Sequence, residues 1–135
     1  MSTVTTVEVE ADPAIRANEP LDAAVRNATS YFQEGLERID AISQTPTIHP
    51  EIRWSIDEDA GQGFLKITYR ERAVDLPHYQ NIMKRVPISQ ILDGVGRRSW
   101  MLRLLQSVNS RRYDQAIDRF ERLIQEQEEA EANGQ

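Results

Sequence analysis

GVGRRSWMLRLLQSVNSRRYDQAIDRFERLIQEQ, residues Gly94–Gln127, holds the densest apolar surface at helical spacing in the chain. Between Trp100 and Val108 the apolar positions are Trp100, Met101, Leu102, Leu104, Leu105 and Val108, interrupted only by Arg103, Gln106 and Ser107. A helix with that pattern is apolar around more than half its circumference, so it belongs in a core or an interface. From Tyr113 the pattern narrows. Tyr113, Ile117, Phe120 and Ile124 recur at spacings of four, three and four, with Ala116 and Leu123 beside them, which predicts an amphipathic helix. Asp114, Asp118, Arg119, Glu121 and Arg122 supply its polar face. Asn109 and Ser110 both make good N-caps, because their side-chain oxygens accept from orphan backbone N–H groups. Two helices meeting near Asn109 are therefore expected, with one kinked helix as the competing reading.

Upstream, Pro20 suits the first turn of a helix, where its missing N–H costs nothing. Leu21, Val25, Ala28, Phe32, Leu36, Ile39 and Ile42 then keep a four-and-three spacing, with Gly35 in mid-helix. Residues 43–50, SQTPTIHP, read as a connector. Ile52, Trp54 and Ile56 alternate with polar residues, and so do Leu65, Ile67 and Tyr69 across the turn DEDAGQG at 57–63. The two runs predict a hairpin with one apolar face. A lone hairpin is marginal in water, so that face must lie on helices or on more strands. Val4, Val7 and Val9 among threonines give the N-terminal segment enough β-propensity to supply a third strand. Leu76-Pro77 opens a predicted helix whose inward stripe is Tyr79, Ile82, Met83 and Val86. Ile88, Ile91, Leu92 and Val95 predict one more short helical segment, with Gly94 at its C′ position.

The expected fold is α+β: a small antiparallel hairpin, or three strands with the N-terminal segment, packed on four to five α-helices, with a helical C-terminal half. Residues 1–19 are read as an arm, 20–125 as a single domain and 126–135 as an acidic, frayed tail.

With 135 residues, 39% hydrophobic and 28% charged, the chain fits one globular domain. No apolar run reaches membrane-spanning length, and MSTVTTVEVEADP lacks the basic start and apolar centre of a signal peptide. A cytoplasmic location is expected. Without cysteine there is no disulfide, thiolate nucleophile or cysteine-held zinc. The net charge of -6 is uneven. Residues 1–65 hold four arginines against twelve acids, residues 66–122 twelve Lys/Arg against six acids, and the last thirteen residues add four glutamates. Arg53, Lys66 and Arg70 on the outer hairpin face belong to this basic middle.

Tests for chemistry fail one after another. Asp57, Asp59 and Gly61 suggest a calcium loop, but the sixth and twelfth positions hold Gln62 and Thr68 rather than glycine and glutamate. His49 and His78 have no Asp, Glu or His at a metal-ligand spacing. Ser99, Ser107 and Ser110 lack a neighbouring base, and no G-x-S-x-G occurs. No cofactor or metal is expected, and the chain is read as a non-enzyme. Gly94-Val95-Gly96-Arg97-Arg98 could cradle an anion on exposed N–H groups, though it matches neither phosphate-loop pattern and reads more simply as a turn.

Three functional readings follow, in order. The first is a protein–protein interaction module, a homo-oligomer or an accessory subunit, whose interface is Met101, Leu105, Val108, Tyr113, Ile117, Phe120 and Ile124. Its partner would be itself or another protein. The second binds nucleic acid or another polyanion through Arg97, Arg98, Arg103, Arg111 and Arg112. It ranks lower because the pI is about 4.9, aromatic residues are only 7%, and Trp100 and Phe120 are expected to be taken by the core. The third is an enzyme without a recognisable motif.

Overall fold

The computed structural model describes residues 6–43, 48–59, 63–72 and 79–134. Backbone contacts divide the chain into one unit to Leu105 and a second from Gln106. The division falls inside a helix, well before residue 125.

The first unit contains a four-stranded mixed sheet in the order β1-β2-β3-β4, where β1 is Glu8–Ala11, β2 Ile48–Ile56, β3 Phe64–Arg72 and β4 Tyr79–Pro87. The expected hairpin is present: Ile52 faces Tyr69, Trp54 faces Ile67 and Ile56 faces Leu65. The N-terminal segment does supply a strand, but it runs parallel to β2, pairing Val9 with Ile52. A parallel neighbour needs a crossover, and the chain makes it with helix α1 (Pro13–Arg16) and helix α2 (Glu19–Ser43). The side chain of Asn18 accepts from the Leu21 N–H at 3.2 Å and so caps α2.

The helix expected after Pro77 is corrected to strand β4. Ile82 and Val86 are buried and Met83 is 53% exposed, which is the alternation of a pleat. A spacing of four residues satisfies both periods, and Tyr79, Ile82, Met83 and Val86 contain little else. The position between Ile82 and Val86 on the inner face is Lys84, so the period of two was masked by a charge. β3 decides the outcome, because it offers Arg72, Arg70 and Thr68 as a ladder to Tyr79, Asn81 and Met83. Leu76, Pro77 and His78 lie outside the described residues.

One face of β2, β3 and β4 is dry, while β1 holds no buried side chain. Ile52, Trp54, Leu65, Ile67, Tyr69, Ile82 and Val86 are buried against Val25, Ala28, Phe32 and Leu36 of α2 and against Ile91, Met101 and Leu104. The Trp54 indole N–H donates to the Thr29 hydroxyl at 3.1 Å, and that hydroxyl donates to the Val25 carbonyl at 2.8 Å. Phe32 meets Tyr69 edge to face, with ring centroids 5.0 Å apart. The inward seam of α2 ends earlier than its spacing predicts, since Ile42 is exposed.

After β4 a short helix, α3 (Ile88–Leu92), turns at Asp93 into α4 (Gly94–Asn133). The expected break near Asn109 is absent. Asn109 and Ser110 are N-cap formers only when the preceding turn opens, and here the helical backbone continues through them, followed by Arg111, Arg112 and Gln115, all good helix formers. Gly35 explains itself against α4: a methyl group there would overlap Leu105 Cδ1 and lie 3.1 Å from Cδ2.

Asp22, at the start of α2, accepts from Arg26 at 2.9 Å and from Arg16 at 2.7 Å. Arg26 first and Arg16 second hold its carboxyl below the usual aspartate range. A depressed folded value contributes stability above the unfolded range and loses it as pH falls through the folded value. Asp22→Asn should therefore unfold at lower urea than the parent at pH 6, and the two curves should converge in strong acid. Gly35→Ala should destabilise by about 1–3 kcal/mol from crowding Leu105, against a helix-propensity gain of about 1 kcal/mol. A urea midpoint below the parent's checks the sign.

Candidate functional site

The corner between α3 and α4 is built by backbone and one carboxylate. Gly96 presses against the Gln90 carbonyl, which an added Cβ would meet at 2.7 Å, so only glycine fits. The Gly96 N–H donates to Asp93 Oδ2 at 2.9 Å, and the Arg97 N–H to the Asp93 carbonyl at 2.8 Å. Gly94 is thus the first residue of α4 rather than the end of α3, and the N–H group expected to hold an anion is already held by the chain's own carboxylate.

The five candidate arginines divide between the units. In the first unit Arg97 donates to the Ile91 carbonyl at 3.3 Å, Arg103 lies over the Trp100 ring at 4.8 Å from its centroid, and Arg98 is exposed. Trp100 itself donates to Gln90 Oε1 at 3.2 Å. Arg111 and Arg112 belong to the second unit. Helix geometry also separates Arg97 from Arg103: six positions on, at about 100° per residue, place them roughly 120° apart.

The seven apolar candidates also divide. Met101, Leu105 and Val108 are buried, so they are core rather than surface. Tyr113 is exposed at 66%, Phe120 at 61%, Leu123 at 63%, Ile117 at 40% and Ile124 at 39%. Phe120, expected in the core, is on the outside. These five side chains form one stripe about 120° wide on the second unit, centred on Phe120. Asp114, Glu121 and Glu128 border it on one side, Arg112, Arg119 and Glu126 on the other.

A second surface was only half visible in the sequence. The outer face of the sheet carries no helix among the described contacts and forms an open hollow of about 330 Å³, lined by residues that include Glu10, Glu51, Arg53, Lys66, Thr68 and Arg70. Arg53 pairs with Glu10 at 2.6 Å and Arg70 with Glu51 at 3.6 Å. The outward arginines were readable from the alternation of β2 and β3. Glu51 follows from the same hairpin, in which it faces Arg70, but Glu10 does not, because it reaches Arg53 only through the parallel pairing of β1. That pairing makes the hollow a mixed-charge surface rather than a basic one.

Among the described residues no group of three His, Cys, Asp or Glu side chains is placed to hold a metal ion, and no helix is long and apolar enough to cross a membrane. His49, in β2, is exposed, with a positive φ of 50° beside the register shift between Ile48 and Glu51. No protein-family model matches the sequence, and no curated protein is similar enough to count as a relative.

Asp93→Ala should cost about 0.5–2 kcal/mol of stability through loss of the cap, while Asp93→Ser should recover most of it. Urea unfolding of the three chains at neutral pH checks the order.

Proposed function

We propose that this chain is a non-enzymatic protein-interaction module that docks through the distal half of α4. One observation carries the reading: five large apolar side chains, Tyr113, Ile117, Phe120, Leu123 and Ile124, stand exposed as a continuous stripe. Scattered apolar residues on a surface mean little, but a stripe with a helical period and charged borders marks an interaction face.

The magnitudes support a partner of similar character. Burying a large apolar side chain fully is worth about 1.5–3 kcal/mol. These five have roughly half their surface left to bury, so the stripe offers roughly 4–8 kcal/mol. Association costs about 4–15 kcal/mol in lost rigid-body freedom. A polar partner leaves little or no net affinity, whereas an equally apolar one doubles the gain. The partner is therefore a protein surface with its own apolar face, and micromolar affinity is the expected class. The nucleic-acid reading receives less support, because Arg97 and Arg103 are engaged with the Ile91 carbonyl and the Trp100 ring.

A photo-crosslinking residue placed at Phe120 tests this in cell extract, with the same group at Gln125, on the far side of the helix, as control. Position 120 should capture a protein and position 125 should not. Equal yields from both positions would remove the docking face.

A further inference from the structure

Resting on that reading of the distal α4 face, we infer that its partner is a second copy of this chain, with the two helices side by side and parallel. The argument is the charge on the borders of the stripe. Taking Phe120 as the centre and about 100° per residue, Asp114, Glu121 and Glu128 fall roughly 80–120° to one side. Arg112, Arg119 and Glu126 fall at similar angles on the other. Gln127 lies within the stripe beyond Ile124, and Arg111, Asp118, Arg122 and Glu129 point away from it.

Two copies of one helix can face each other about two kinds of two-fold axis. An axis running along the helices sets the acidic border of each copy beside the arginine border of the other. Arg112 then lies near the level of Asp114 in the second copy, and Arg119 near that of Glu121. Glu126 meets Glu128, a like-charge layer that ends the pairing one turn after Ile124. An axis running across the helices sets each border against itself. Asp114, Glu121 and Glu128 then oppose the same three acids and Arg119 opposes Arg119, with Arg112 against Glu126 the one attractive pairing. Charges flanking an apolar seam choose partner and orientation in paired helices, and here they choose a parallel copy. Arg112 and Arg119 keep this place on the helix whatever else they touch within their own chain. The stripe is broad enough for Ala116 and Phe120 to lie in the seam together.

The absence of cysteine makes the test direct. Sedimentation velocity of the full chain over a wide concentration range should show a monomer–dimer equilibrium. Phe120→Glu should raise the dissociation constant at least tenfold, Arg119→Glu should raise it severalfold, and adding Glu121→Arg to Arg119→Glu should restore it. Under mild oxidation Ala116→Cys should give a disulfide-linked dimer, since bridged Cα atoms lie about 4.4–6.8 Å apart, and Asp118→Cys should not. A mixture in which Ala116→Cys links only to Ile124→Cys would establish the antiparallel pair and overturn the arrangement proposed. A chain that stays monomeric at every concentration, yet crosslinks a different protein from position 120, would overturn self-pairing and leave the docking face standing. A monomer without any crosslink from position 120 would overturn both.

Discussion

The Trp54 indole sits fully buried in the middle strand pair of the sheet, and its N–H has one partner there, the hydroxyl of Thr29 on α2. A buried donor left unpaired costs about 1–3 kcal/mol, so this contact fixes both the rotation of α2 about its axis and its height above β2. With that rotation set, Val25, Ala28, Phe32 and Leu36 all turn inward, and Phe32 meets Tyr69 one strand over. Gly35 then lies where Leu105 approaches. The first unit is organised by the need to keep one face of β2, β3 and β4 dry while satisfying a single indole.

That constraint separates two roles that look alike in composition. Met101, Leu104 and Leu105 and the residues Tyr113, Ile117 and Phe120 are all apolar positions at helical spacing on one helix. The former enclose the sheet; the latter have nothing described against them. The apolar surface of α4 thus exceeds what the small sheet can hide, and the excess falls in one continuous stripe rather than at scattered points. That stripe, with its charged borders, is the surface on which the proposed docking rests.

The fold was legible where one periodicity held alone. The strict alternation of Ile52, Trp54 and Ile56 and of Leu65, Ile67 and Tyr69 admits only strands, and the two runs pair antiparallel as a hairpin requires. The long repeat from Leu21 to Leu36 admits only a helix. Legibility failed at β4, where Ile82 and Val86 fit both periods and Lys84 interrupts the inner face. It failed at Asn109, where capping chemistry is available but unused, and at Gly94, where a glycine between two helices serves either end equally well. The parallel direction of β1 was beyond reach, since it depends on the crossover through α2 and not on any local feature. Within the site, the stripe from Tyr113 to Ile124 was plain from its spacing. That Met101 and Leu105 are enclosed was not, because their enclosure depends on which face of the helix the sheet and α2 claim.

Lys84 has a further consequence for how the sheet ends. β4 is one of the two outer strands, and among the described residues no strand pairs with its far edge, the usual starting point for runaway stacking of strands. Lys84 shares the inner face with Ile82 and Val86, level with Ile67. A strand added beyond β4 would have to bring its own side chains alongside that ammonium group and strip water from it. The sheet therefore carries its own stop at β4. Growth into fibrils by strand addition along that margin is thereby opposed.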